Sequence, residues 1–394
     1  MRLSPSSIAL ICTAMFIPES AAAAATPAGA TDLLAYVGTY TTGESKGIYL
    51  FRVQDGPAGP ALVPMGLAAA TASPSFLAVD ARRRLLFAVN ETSNHEGRAS
   101  GAVSAFSIEA GTGQLTLLNQ KATNGTDPCH LMLDPSGQNL LIANYSSGSV
   151  AVFRVGADGR LGEMSSFVQH EGRSVHPRRQ TGPHAHAITF DPSGRFVFVC
   201  DLGLDRVMAY RFDAATGKLT AADPAFAPLA PGAGPRHMVF RSDGKFAYVV
   251  NELNSTVTAF AVEPGTARLR EVQTVPTLPV GFAGNSTCAE IQLHPSSGFL
   301  YASNRGHDSL AIFAIDAATG TLRVVDHHLT GGKTPRHFDF NPAGTHLFAA
   351  NQNTDTIQVN AVDAATGRLT AAGGLTSVPA PVCIAFLHPA PAGR

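Results

Sequence analysis

An arginine and a glutamate stand at matched distances from one turn, and that spacing is the first sign of chemistry in this 394-residue chain. Arg236 precedes Gly244 by eight residues and Glu252 follows it by eight. The runs between them, Met238 to Phe240 and Phe246 to Val250, are rich in aromatic and β-branched residues, and Ser242-Asp243-Gly244 separates them. Asp-Gly between such runs predicts a β-hairpin. Antiparallel pairing then brings Arg236 and Glu252 to the same open end. A guanidinium suits a carboxylate, a phosphate or a developing oxyanion, and a carboxylate beside it can orient water or move a proton.

This hairpin is one copy of a repeat. Aligned on the turn and on a terminal Asn or Asp, six copies run from Pro74 to Asn90, Pro128 to Asn144, Pro183 to Asp201, Pro235 to Asn251, Cys288 to Asn304 and Pro335 to Asn351. A seventh is split, with an inner strand at Pro381 to His388 and a second strand at Leu33 to Tyr40. Successive copies lie 46 to 55 residues apart, enough for four short strands and their turns. Asp213-Ala-Ala-Thr-Gly217 recurs at Asp316 and Asp363 as turn chemistry between third and fourth strands. No helical period with caps is evident. The expected fold is therefore all-β: a seven-bladed β-propeller of four-stranded antiparallel blades, with the last blade closed by the N- and C-terminal strands, so that no sheet edge is left open at the join.

In such a ring the first strand of each blade lines the central channel. Its start and the end of the second strand open on one face. The first-strand position is held by Ser75, Cys129, His186, Arg236, Ala289, Arg336 and Val382, and the position after the second strand by Glu91, Tyr145, Leu202, Glu252, Arg305 and Gln352. His237 and His337 follow the two arginines directly, and period-2 alternation puts His184 on the same side as His186. One channel mouth is thus expected to be polar and mildly cationic, a concave site for a small oxygen-rich anion or polyol. Glu91 shares the repeat position of Glu252 but is expected to carry no chemistry. The recurrent Asn90, Asn144, Asn251, Asn304 and Asn351 are expected to bond local backbone, and His294, His346 and His388 to be solvated. No zinc-like spacing and no G-x-S-x-G elbow is present, so neither a metal nor another cofactor is expected.

A net charge of −1 with 14% charged residues argues against a nucleic-acid or anionic-membrane partner. Residues 1–25 read as a secretory signal peptide, with Arg2, an apolar run from Ile8 to Ile17 and Ala21 to Ala25. Residues 26–31 form a linker and 32–394 the propeller, with a periplasmic or secreted location and a monomeric state expected. The apolar run is too short to span a bilayer, and no membrane contact is expected after cleavage. Cys129, Cys200, Cys288 and Cys383 are expected to be buried free thiols.

Gly234-Pro235-Arg236-His237 together with Tyr248-Val-Val-Asn251-Glu252-Leu-Asn resembles the signature of the 6-phosphogluconolactonase family of the seven-bladed propeller type, related to carboxy-muconate lactonising enzymes. Tyr36-Val-Gly-Thr-Tyr-Thr41, Gly182-Pro-His-Ala-His186 and Asp201-Leu-Gly-Leu-Asp205 are also similar to it. The resemblance covers the chain from about Asp32 onward. It implies a hydrolase opening a sugar lactone, with a His, an Arg, a Glu and a second Arg falling on His186, Arg236, Glu252 and Arg305. His184, His237, Arg336 and His337 are the expected further substrate contacts. Glu252 would orient water as base, Arg236 and Arg305 would hold the carbonyl oxygen, and His186 would donate to the ring oxygen; the roles of Glu252 and His186 are exchangeable. A muconate-type lactonising enzyme and a non-catalytic secreted binding propeller are the alternatives.

Overall fold

The computed structural model describes residues 33–387 except 57, 58 and 297. Twenty-eight strands form seven four-stranded antiparallel sheets. The closing blade runs Pro381–Leu387, Leu33–Thr39, Gly47–Gln54, Ala61–Ala70, and Tyr36 pairs with Ala385 across the join. The terminal segments are therefore neighbours, as the split repeat requires. The signal-peptide and linker readings lie outside the described residues. Among those described, no helix is long and apolar enough to cross a membrane.

Each second strand is buried along its length because blades pack on both its faces. Phe246, Tyr248 and Val250, for example, pack with Leu300, Ala302 and Phe313 of the next blade. The mid-strand tyrosines also tie neighbouring blades by hydrogen bonds: Tyr248 donates to the Gly320 carbonyl at 3.1 Å, Tyr301 to Gly367 at 2.6 Å and Tyr36 to Gly113 at 2.7 Å. A buried phenol needs such a partner, and the Asp-x-x-x-Gly turns supply two of the three carbonyls. The strand-end asparagines bond within the scaffold: Asn251 donates to Thr256 and Thr258, and Asn351 to the Thr330 carbonyl. Cys129, Cys200, Cys288 and Cys383 are buried and free. His294 departs from expectation: it is 6% exposed and lies 2.9 Å from the Gly344 carbonyl, joining two blades.

One irregularity recurs at the same place in six blades. The inner strand carries one extra residue where it enters the channel, between Pro128 and His130, Ala185 and Ala187, Pro235 and His237, Cys288 and Ile291, Pro335 and His337, and Pro381 and Cys383. Such a bulge breaks the alternation of side chains and re-aims the extra one. Cys129, His186, Arg236, Arg336 and Val382 are these extra residues, and the residue pair Ala289–Glu290 occupies the corresponding place in its blade.

Candidate active site

The bulges and the second-strand ends converge on a cavity of about 310 Å³ lined by Tyr40, Glu91, Cys129, Tyr145, Arg179, His186, Glu252, Thr287, Arg305 and Arg336. Every blade but the one begun by Pro381 contributes at the expected positions, and that one supplies Tyr40.

Glu252 is the electrostatic centre. It is 4% exposed and ion-paired with Arg179 at 2.5 Å, Arg305 at 2.9 Å and Arg236 at 3.2 Å. Burial alone would push its carboxyl up, but Arg305, Arg236 and Arg179 together hold it at about 2. Arg236 reaches Glu252 from beneath and does not line the cavity; it is 3% exposed and donates through Nη1 to the Ala289 carbonyl at 2.8 Å. Burial, with Arg336 and Arg305 nearby, lowers Arg236 to about 10, still cationic at neutral pH. Arg305 is anchored by a 2.8 Å bond to the Cys288 carbonyl.

The opposite wall holds a second carboxylate. Glu91, expected to be inert, lines the same cavity and accepts from the Tyr40 hydroxyl at 2.9 Å to each oxygen. The Arg336 guanidinium lies over the Tyr40 ring, 5.1 Å from its centroid, a cation–π contact. His186 lines the cavity with Nδ1 at 3.7 Å from Cys129 Sγ. Burial first, then Arg236, His237 and Arg336, lowers its imidazole well below the usual range, so it is neutral at pH 7. Burial and Glu91 push the Cys129 thiol up, which removes it as a nucleophile.

Three expected substrate contacts are set apart from the cavity. His184 stacks on Tyr145 with centroids 4.6 Å apart, and its Nδ1 is 3.0 Å from the Tyr145 carbonyl; the bulge at His186 breaks the alternation that had paired the two. His237 faces a second cavity of about 390 Å³ further along the inner strands, and His337 lies 3.6 Å from Glu290. Here too the extra residue turns the following side chain into the channel below the mouth. Arg336 does line the site.

Arg179, Tyr40, Thr287 and Tyr145 complete the walls. Arg179 belongs to residues 170–184, the long connection before Ala185. The segment is pinned by Asp205, whose Oδ2 accepts from Ser174 Oγ at 2.6 Å and Gly232 N at 2.7 Å, and whose Oδ1 accepts from Gln180 Nε2 and Gly234 N, both at 2.7 Å. Gly234 has φ +65, and a Cβ there would meet Leu253 at 2.5 Å, so glycine is required beside Pro235 and Arg236. One buried carboxylate thus fixes Arg179 and the Arg236 bulge together.

The family model for the seven-bladed β-propeller lactonases matches residues 34–386. A 6-phosphogluconolactonase of Bacillus subtilis is 38% identical over 91% of this chain and 99% of its own length. A 6-phosphogluconolactonase of Formosa agariphila is 31% identical over 67% of this chain and 74% of its own. Among solved structures, the periplasmic gluconolactonase of Pseudomonas aeruginosa is 37% identical with a TM-score of 0.83, covering 90% of this chain and 99% of that one. With one model spanning nearly every described residue and the Bacillus subtilis relative 38% identical over 99% of its length, the chain belongs to the seven-bladed β-propeller lactonase family and is a hydrolase of that kind.

Proposed function

We propose that this protein hydrolyses a sugar δ-lactone, an aldonolactone or its 6-phosphorylated form, by direct attack of water in the cavity around Glu252. The observation that carries the reading is the charge balance of the site. Arg179, Arg236, Arg305 and Arg336 outnumber Glu91 and Glu252, four charges to two, while His186 is neutral. Such a surplus favours a transition state that gains negative charge and repels a metal cation, so the carbonyl is polarised by guanidiniums.

Arg305 and Arg336, which face the cavity, hold the carbonyl oxygen as it becomes an oxyanion. Water adds to C1 and its proton passes to neutral His186. Collapse breaks the bond from C1 to the ring oxygen, and His186 returns the proton to that oxygen, giving the hydroxy acid. This exchanges the roles first assigned to His186 and Glu252, because a carboxyl held at about 2 is a weak base. Glu252 instead fans the guanidiniums into place.

The signal-like segment 1–25 and the similarity to the periplasmic gluconolactonase of Pseudomonas aeruginosa support a periplasmic site of action. Purified protein assayed on δ-gluconolactone, 6-phosphogluconolactone and a muconate tests the reading. Opening of either sugar lactone well above the spontaneous rate supports it. Turnover of the muconate alone, whose two carboxylates would also match the surplus charge, overturns it in favour of the lactonising alternative.

A further inference from the structure

We propose that His237 and Glu290 are positioning residues that hold Arg236 beneath Glu252 by locking His237 in its Nδ1–H tautomer. Arg236 Nη1 lies 3.1 Å from His237 Nε2. A guanidinium only donates, so Nε2 must be the bare nitrogen and the proton must sit on Nδ1. Nδ1 in turn faces Glu290, 3.2 Å from Oε1 and 3.1 Å from Oε2. Glu290 has no freedom to turn away: its Oε1 accepts from the Ile291 backbone N–H at 3.0 Å, its own N–H donates to Ser303 Oγ at 2.9 Å, and it is 2% exposed. His337 closes the other side. Its Nδ1 accepts from the Ile384 N–H at 3.2 Å, so its Nε2–H faces Glu290 Oε2 at 3.6 Å, an electrostatic contact longer than a hydrogen bond.

A chain of fixed contacts therefore runs from the cavity to the channel interior: Arg236 pairs with Glu252 and donates to His237, and His237 donates to Glu290. The other tautomer, or an imidazolium, would set an N–H against the guanidinium. The rings packed around His237 include Phe76, His130 and His186, at centroid separations of 5.8, 5.2 and 5.2 Å, and the charges of Arg336, Glu252 and Arg305 also act on it. None of these rings is hydrogen-bonded to His237 in a way that competes for Nε2. If Arg236 rotates, Glu252 loses its support from below and the array of Arg179 and Arg305 shifts with it. Misplacement of that order costs turnover more than affinity.

The inference rests on the reading of the Glu252 cavity as the catalytic site, but its first test does not use catalysis. Full-length protein labelled with ¹⁵N-histidine is examined by long-range ¹H–¹⁵N correlation at pH 7, with the His237 signals assigned by their loss in His237→Phe. The Nδ1–H pattern is expected in the native protein and in Glu290→Gln, whose amide oxygen still accepts at Oε1. In Glu290→Leu the pattern should shift toward Nε2–H, with kcat lowered about 10-fold or more and KM changed less. Should Glu290→Leu not fold, His237→Gln takes its place: the amide oxygen can accept from Arg236 as Nε2 does, so it should keep much more activity than His237→Phe. An Nε2–H tautomer in the native protein, or equal losses in His237→Gln and His237→Phe, overturns the proposal. Failure of the native protein to open any lactone would instead count against the functional reading, and the tautomer would still decide this one.

Discussion

Replacing Glu252 by Gln keeps the side chain's shape and removes the single negative charge that Arg179, Arg236 and Arg305 share. The folded protein lowers this carboxyl from 4.5 to about 2, which at 1.36 kcal/mol per unit is about 3 kcal/mol of stability. The group is nearly fully buried, so little of that is screened, and the size agrees with the cost of removing one partner from a buried ion pair. The sign follows from linkage. Because the folded value lies below the unfolded one, the contribution is complete above about 4.5 and is lost as pH falls through about 2. Urea unfolding of native protein and Glu252→Gln should therefore differ by about 3 kcal/mol at pH 7 and by roughly half of that near pH 3. A difference below about 1 kcal/mol at pH 7, typical of an exposed pair, would refute the reasoning. So would a difference that is the same at both pH values. In turnover the same variant should lose about 10²-fold in kcat through displaced guanidiniums, with the acid limb of the pH profile unmoved; a shifted limb would return the base role to Glu252.

Because His186 is held well below the usual histidine range, kcat/KM should stay flat from pH 8 to below 6.5 and fall only at more acid pH as the imidazole protonates; a limb centred near 6.5 or above in the pH–rate profile counts against His186 as base. Glu91→Gln should lower kcat by about 10-fold or more, since it weakens a carboxylate that shares the cavity with Arg336 and Tyr40, and a silent variant in steady-state kinetics would restore Glu91 to the inert rim. Asp205→Ala removes four hydrogen bonds to a buried carboxylate and should cost about 3 kcal/mol or more in urea unfolding, with KM raised as Arg179 loosens; unchanged stability would show that the 170–184 segment is held by other contacts. N-terminal sequencing of protein from its native host should find a mature chain beginning near Thr26, and an intact Met1 would remove the argument for export.

The blade count, the closure through the termini and the ring of positions around the mouth were legible because a repeat encodes them many times over, and an error in one copy is corrected by the others. Arg179 was not. It lies in the connection before Ala185, where no repeat position predicts a direction, and its only sequence trace is that this connection is long and carries Arg178-Arg179 in an otherwise weakly charged chain. Tyr40 was within reach of the method. It follows Thr39 in the split blade as Glu91 follows Asn90, and only the division of that blade between the chain ends hid it.

The direction of side chains along the inner strands is a different kind of miss. Alternation assigned His184 to the side of His186, and adjacency grouped His237 with Arg236 at the mouth, yet a single extra residue per strand overrules both. A bulge is set by the pairing of two strands, so neither strand alone contains it. Its local trace is a pair of adjacent polar residues where one should face solvent and the next the core: Arg236-His237 and Arg336-His337 follow Pro in just this way. The consequence is functional as well as geometric. By spending one residue, each inner strand delivers one side chain to the cavity layer and the next to a layer below it, so the propeller stacks Glu290 and His237 under Arg236 and Glu252. A strand with regular alternation would have sent one of each pair into the blade, where a guanidinium or imidazole has no partner.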